Sequence, residues 1–222
     1  MRRISTYAVT AMLALAAACG GGGDDRVEPA DAVVAIGATG CRRTPTRADG
    51  VVVADDLVAT VAHAIAGESE IRVVGPDGRD LPGEVVAIDT GLDAAVVRVD
   101  GLDLPALDRG ELEDGEAVTL WTSDHGAVES APAEVLRRVT VRTTDIYREG
   151  EHLRPGFELE ADVEAGDSGG GLVDVDGELV GIVWATSRER DDRAWAMPID
   201  AFDPLLAAAT AADPVPPVDC AR

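Results

Sequence analysis

The chain has 222 residues and a formal charge of −23 at pH 7, from 42 acidic and 19 basic side chains. A polyanion of this kind is repelled by nucleic acid and by anionic lipid headgroups, so neither is an expected ligand. Every basic residue is arginine, and the abundance of Ala, Gly, Val and Asp reads as coding bias rather than as chemistry.

Residues 1–18 begin Met1-Arg2-Arg3 and continue through an apolar run from Ile4 to Ala18. A spanning helix needs about 20 apolar residues, so this segment reads as an export signal. Leu15-Ala16-Ala17-Ala18-Cys19 resembles the lipobox of bacterial lipoproteins, with Ala16 where such boxes usually carry Leu. The resemblance implies that Cys19 is lipidated and anchors the mature protein to a membrane; cleavage near Ala18 without lipid is the other reading. Residues 19–31, rich in Gly and Asp, are expected to form a flexible tether. With Cys19 lipidated, Cys41 and Cys220 remain as an even pair in an exported chain, the setting in which disulfides persist. They are expected to join the start of the domain to its tail, residues 213–222. Two cysteines so far apart, with no histidine nearby, do not make a zinc set, so neither a metal nor a cofactor is expected.

Removing the signal leaves enough chain for one large all-β domain or two small ones, and no separate module. From Val33 onward short β-branched runs alternate with Gly, Pro and Asp: Gly50-Val51-Val52-Val53, Leu57-Val58-Ala59-Thr60, Ile71-Arg72-Val73-Val74, Val85-Val86-Ala87-Ile88 and Ala95-Val96-Val97-Arg98-Val99. Between Gly101 and Gly115 the chain turns polar and acquires a proline, which suits a link between two β halves. The pattern resumes with Ala117-Val118-Thr119-Leu120-Trp121, then residues 135–141, 157–163, Gly171-Leu172-Val173 and 179–184. Strands this short, with turn signals between them, predict an antiparallel sandwich or barrel rather than βαβ units. Pro76-Asp77-Gly78 and Val175-Asp176-Gly177-Glu178 are hairpin connectors. A helix is predicted over 198–212, where Phe202, Leu205, Leu206 and Ala209 fall at helical spacing.

A serine hydroxyl becomes a useful nucleophile when an imidazole takes its proton and a carboxylate fixes the imidazole's tautomer. Of the six serines, Ser168 alone sits among glycines, and glycines on both sides let backbone N–H groups converge on one point. Gly166-Asp167-Ser168-Gly169-Gly170 resembles the active-site motif of trypsin-like, chymotrypsin-fold serine proteases. His63 ends the apolar run Val58-Ala59-Thr60-Val61-Ala62-His63-Ala64-Ile65, similar to that family's strand-then-Ala-His signature. Asp93 opens Asp93-Ala94-Ala95-Val96-Val97, which resembles the family's carboxylate-then-strand segment, especially in HtrA-like members. Asp89 is the alternative carboxylate, read as a turn former before Thr90-Gly91, while His125 and His152 read as polar loops.

The resemblance spans roughly 32–206 and implies two antiparallel six-stranded β-barrels, at about 32–105 and 115–200, within a protease domain of 32–212 that ends in the helix. It places His63 and Asp93 on the first barrel and Ser168 on the second, with the N–H groups of Gly166 and Ser168 as the oxyanion hole. No activation site is visible, so Asp167 is expected to make a local hydrogen bond. Gly171 stands where the family usually has Pro and is expected to loosen the turn. Specificity in the family depends on the residue six before the nucleophile, here Asp162, and on the strand carrying Trp184. An acid at the pocket floor favours Arg or Lys in the substrate. Asp162 also fits the solvated face formed with Glu158, Glu160 and Glu164, and Trp184 fits either a pocket wall or the core.

The expected activity is thus serine endopeptidase, acting on proteins or peptides in the bacterial cell envelope, periplasmic or at the cell surface. No PDZ-like segment follows, so HtrA-type oligomerisation is not expected and the protein is read as a monomer. A catalytically inactive envelope scaffold of the same fold is the alternative. An α/β-hydrolase esterase is disfavoured, because it needs the order Ser, Asp, His and intervening helices.

Overall fold

The computed structural model describes residues 26–210, 214, 215 and 218–221. The expected export signal, Cys19 and the first part of the expected tether lie outside them. Residues 29–31, expected within the tether, instead form with Ala32 a one-turn helix, α1 (Pro29–Ala32), started by proline at its first turn.

The first half is a seven-stranded antiparallel sheet in the order β5-β4-β1-β2-β3-β7-β6, one strand more than expected because Asp80–Pro82 adds a three-residue edge. Its strands are β1 (Val33–Thr39), β2 (Thr46–Ala54), β3 (Leu57–Val61), β4 (Glu70–Val74), β5 (Asp80–Pro82), β6 (Glu84–Asp89) and β7 (Ala94–Arg98). β3 is buried along its whole length and β7 along all but its last residue, so these read as continuous apolar runs rather than as alternating ones. Their pairing runs from Leu57 opposite Arg98 to Val61 opposite Ala94. That register sets the end of β3 beside the start of β7. His63, just past β3 in the short helix α2 (Ala62–Ile65), therefore meets Asp93, just before β7.

The second half is a closed six-stranded barrel, β10-β13-β12-β11-β8-β9. It comprises β8 (Ala117–Asp124), β9 (Ala127–Thr143), β10 (His152–Glu160), β11 (Gly171–Val173), β12 (Leu179–Thr186) and β13 (Arg193–Pro198). Phe157, Leu159, Leu172, Val180 and Val183 fill the barrel, while Val173, Leu179, Ile182 and Met197 point outward into the core of the first half. Strict alternation would send Val180 and Ile182 to the same face. The register shift opposite Leu172 and Val173 leaves Val180 without a pairing partner and turns the strand over, so one strand feeds both cores.

The link between the halves is less polar in place than in sequence: Leu102, Leu107 and Leu112 are buried, and the Leu107 amide donates to Val52 O. The predicted C-terminal helix is divided into a 3-10 turn, Ile199–Phe202, and α3 (Asp203–Ala209). Pro204 has no N–H and its ring crowds the carbonyl four residues back, so one continuous helix cannot pass through it. Ile199, Phe202, Leu205 and Ala209 are buried against the first sheet, so the last element of the chain closes the first half. Cys41 and Cys220 lie side by side with 5.7 Å between their Cα atoms.

Candidate active site

His63 and Asp93 form a pair held by several bonds. Nδ1 of His63 lies 2.9 Å from Asp93 Oδ2 and 3.1 Å from Oδ1, and the His63 backbone N–H donates to Oδ1 at 2.8 Å. The Asp93 carbonyl accepts from the Ala62 amide at 3.2 Å. Asp93 has φ +66°, a left-handed conformation that aspartate tolerates better than most residues. Its side chain is 6% exposed, whereas the imidazole is about one-third exposed at 34%. A carboxylate accepting at Nδ1 selects the tautomer with a bare Nε2, the form able to take a proton on its open side.

Asp89 is not part of this pair; its Oδ1 accepts the Leu92 amide at 2.8 Å and closes the turn between β6 and β7. His125 is exposed at the tip of the β8–β9 hairpin beside Asp124. His152 begins β10 rather than lying in a loop, paired with Thr143, and its ring packs on Gly91.

Ser168 sits on a loop whose backbone is tied at nearly every residue. The Gly169 amide donates to Val183 O at 2.7 Å, the Gly170 amide to Asp167 O at 2.9 Å, and the Asp167 amide to Glu164 O at 3.3 Å. Asp167 Oδ2 accepts from the Glu164 amide at 2.8 Å, the local hydrogen bond expected of it. Its pKa is raised, first by burial, against which the Glu164 amide pulls, and then by Asp162 and Glu129. By contrast, the amides of Gly166 and Ser168 donate to no acceptor among the described residues. Gly166 has φ +122°, which only glycine reaches easily. Two unpaired N–H groups flanking Asp167 are what an anion-binding nest requires.

The first half seats this loop. Ser168 O accepts the Asp49 amide at 2.8 Å, and Asp49 O in turn accepts the Thr60 hydroxyl at 2.6 Å. Gly169, at φ +97°, rests directly on them: a Cβ there would fall 1.9 Å from Asp49 O and 2.8 Å from Thr60 Oγ1. Thr60 is on β3, the strand that delivers His63. Ser168 Oγ itself makes no hydrogen bond among the described residues, His63 included, and such bonds often tighten only when substrate arrives. Gly171 does not loosen a turn; it is a buried strand residue whose Cβ would sit 2.8 Å from Val51 Cγ2, so a side chain there would have to displace Val51 of the first half.

A half-buried serine loop seated through Asp49 on the strand that delivers a His-Asp pair narrows the possible relatives sharply. The family model of the trypsin-like peptidase domain matches residues 48–182. The chain belongs to that family. It is 33% identical over 160 residues to the "Probable periplasmic serine endoprotease DegP-like" of Halomonas elongata, covering 68% of this chain and 32% of that protein. It is 29% identical over 170 residues to serine protease Rv3671c of Mycobacterium tuberculosis, covering 75% and 43% respectively. The chain thus spans less than half the length of these curated relatives. The crystal structure of the active form of the Rv3671c protease superimposes with a TM-score of 0.81 at 27% identity, covering 87% of each chain.

Two residues of this trypsin-like domain were not singled out from sequence. Asp49 is 2% exposed, and its Oδ2 has no hydrogen-bond partner among the described residues. Burial pushes its pKa up to about 8; the Ser123 amide opposes that rise, and Asp167 and Asp124 add to it. Asp49 lies mid-strand in β2, just before the run Gly50-Val51-Val52-Val53. Arg154 is 3% exposed and reaches Asp93, yet Glu151-His152-Leu153-Arg154-Pro155 resembles a solvated segment.

Asp162 lies exposed beyond the end of β10, lining a groove of about 590 Å³ with Glu134, Glu160, Asp191 and Asp192. Trp184 is half-buried, its ring packed on the first-half core and covered by the Arg154 guanidinium at 4.8 Å.

Proposed function

We propose that the protein is a serine endopeptidase in which Ser168 is the nucleophile, His63 the general base and acid, and Asp93 the carboxylate that orients His63. The observation that carries this reading is the His63 to Asp93 pair at 2.9 Å, joined through Thr60 and Asp49 to a glycine loop whose Gly166 and Ser168 amides are unpaired among the described residues. His63 Nε2 takes the Ser168 hydroxyl proton as Oγ bonds to the scissile carbonyl carbon. The carbonyl oxygen becomes an oxyanion received by the N–H groups of Gly166 and Ser168. Collapse of the tetrahedral species breaks the C–N bond, and the imidazolium gives its proton to the departing amine. A water molecule, deprotonated by the same imidazole, then hydrolyses the acyl-enzyme and restores Ser168.

The export signal and the relatives' periplasmic description support a location in the cell envelope. Lipidation of Cys19 would tether the enzyme there as a monomer, and a Cys41–Cys220 disulfide would clasp the first sheet to the tail. Asp162 supports a preference for basic residues before the cut, although its exposure favours a distal contact over a pocket floor.

The test is fluorophosphonate labelling of the purified protein beside Ser168→Ala. Labelling is expected in the parent, with the substitution lowering peptide turnover on the order of 10⁶-fold, as loss of a triad serine does. Labelling that survives Ser168→Ala would place the nucleophile elsewhere.

A further inference from the structure

We propose that Arg154 is a positioning residue of the triad: reaching across from the second half, it clamps Asp93 and ties it to the Trp184 strand. This rests on the reading of His63 and Asp93 as the catalytic pair.

Arg154 projects from β10, yet every nitrogen of its guanidinium is used outside that strand. Nε donates to Gly91 O at 2.7 Å, Nη1 meets Asp93 Oδ2 at 3.4 Å, and Nη2 donates to Thr144 O at 3.0 Å. The face of the group lies over the Trp184 ring, 4.8 Å from its centre. Gly91 and Asp93 belong to the turn before β7 in the first half, whereas Thr144 and Trp184 belong to the second. One planar group therefore binds the segment carrying the triad carboxylate to the strand that flanks the Ser168 loop. Burial of this cation is tolerated because a carboxylate and two carbonyls receive it; a buried charge without such partners is strongly unfavourable.

The geometry also says what Arg154 does not do. Asp93 Oδ2 is shared between His63 at 2.9 Å and Arg154 at 3.4 Å, so the imidazole holds the shorter bond. When His63 becomes protonated during catalysis, a second cation on the same carboxylate opposes the new charge. The gain from Arg154 is thus orientation: with the His63 backbone N–H on Oδ1, it leaves Asp93 no rotation that keeps its bonds. A planar fork supplies that, and a lysine ammonium does not.

Three measurements test this. Active-site titration is combined with peptide hydrolysis, so that kcat is counted per reactive serine and misfolded protein is excluded. Arg154→Met and Arg154→Lys are both expected to lower kcat per site by on the order of 10²-fold, with KM changed less than kcat. In an Asp93→Asn background, Arg154→Met is expected to add less than threefold, since the residue it positions is already altered. Without relying on activity, the proton NMR signal of the His63 Nδ1–H is expected to broaden through faster exchange in Arg154→Met. Parental kcat per site, full rescue by lysine, an undiminished effect in the Asp93→Asn background or an unchanged Nδ1–H signal would each overturn the proposal. A parent that fails to label with fluorophosphonate would instead count against Ser168 as nucleophile, and the NMR comparison would still decide the role of Arg154.

Discussion

The two halves hold their functional groups by different means. In the first, β3 and β7 are buried nearly throughout, and their register alone aligns His63 with Asp93. In the second, the long strand β9 is mostly exposed, and Ser168 rides on a loop fixed by main-chain bonds, including one to the Asp49 amide of the first half. A side-chain pair can be set by strand register because two adjacent strands share a ladder. A nucleophile with open amides cannot belong to a ladder, since pairing would consume the donors it must present. It is held instead by contact with the opposite half.

Disabling each device separately sharpens that contrast. In the first half, Asp93→Asn preserves shape but removes the acceptor that selects the His63 tautomer; kcat is expected to fall by about 10⁴-fold with the fold intact, the loss described for the family's triad aspartate. Steady-state kinetics alongside a thermal melt check it, and a loss confined to the melt would reassign Asp93 to a structural role. In the second half, Gly169→Ala drives a methyl group to 1.9 Å from Asp49 O at a φ of +97°. A destabilisation of at least about 3 kcal/mol is expected from strain and backbone displacement together, read from urea denaturation; a variant as stable as the parent would show the seat to be soft.

The most gradual effect concerns the joint between the halves. Asp49 keeps its proton up to about pH 8 in the fold, while in the unfolded chain it ionises near 3.8. As pH rises between those values the unfolded state has released a proton that the native state retains, so stability falls. The slope is about 1.4 kcal/mol per pH unit for this group, and it levels off above the folded value. Asp49→Asn should remove that slope and gain on the parent progressively from pH 4 to pH 8. Urea midpoints at pH 4, 6 and 8 measure it, and parallel curves for parent and variant would show that Asp49 does not carry the dependence.

Much of this was legible in the chain. The all-β class followed from runs of β-branched residues between turn formers. Ser168, His63 and Asp93 each stood in a short local context whose chemistry is written in adjacent residues. Asp49 and Arg154 were not legible, because a charged side chain beside a strand run carries no local sign of the contact with the opposite half that buries it. Pro204 was visible, and its division of the last helix could have been anticipated from its missing N–H.

Sequence by itself determined most of the strands, though not β5 or β13, together with the turns and the three groups of the proposed triad, since periodicity, backbone conformation and a glycine-flanked serine are properties of neighbouring residues. Tertiary structure alone decided that a mid-strand aspartate would underlie the Ser168 loop, and that an arginine 61 residues from Asp93 would reach its carboxylate. Those contacts depend on how the two halves close on one another. That closure is set by the shape of two shared cores and by the bulge at Val180, and no local pattern encodes it.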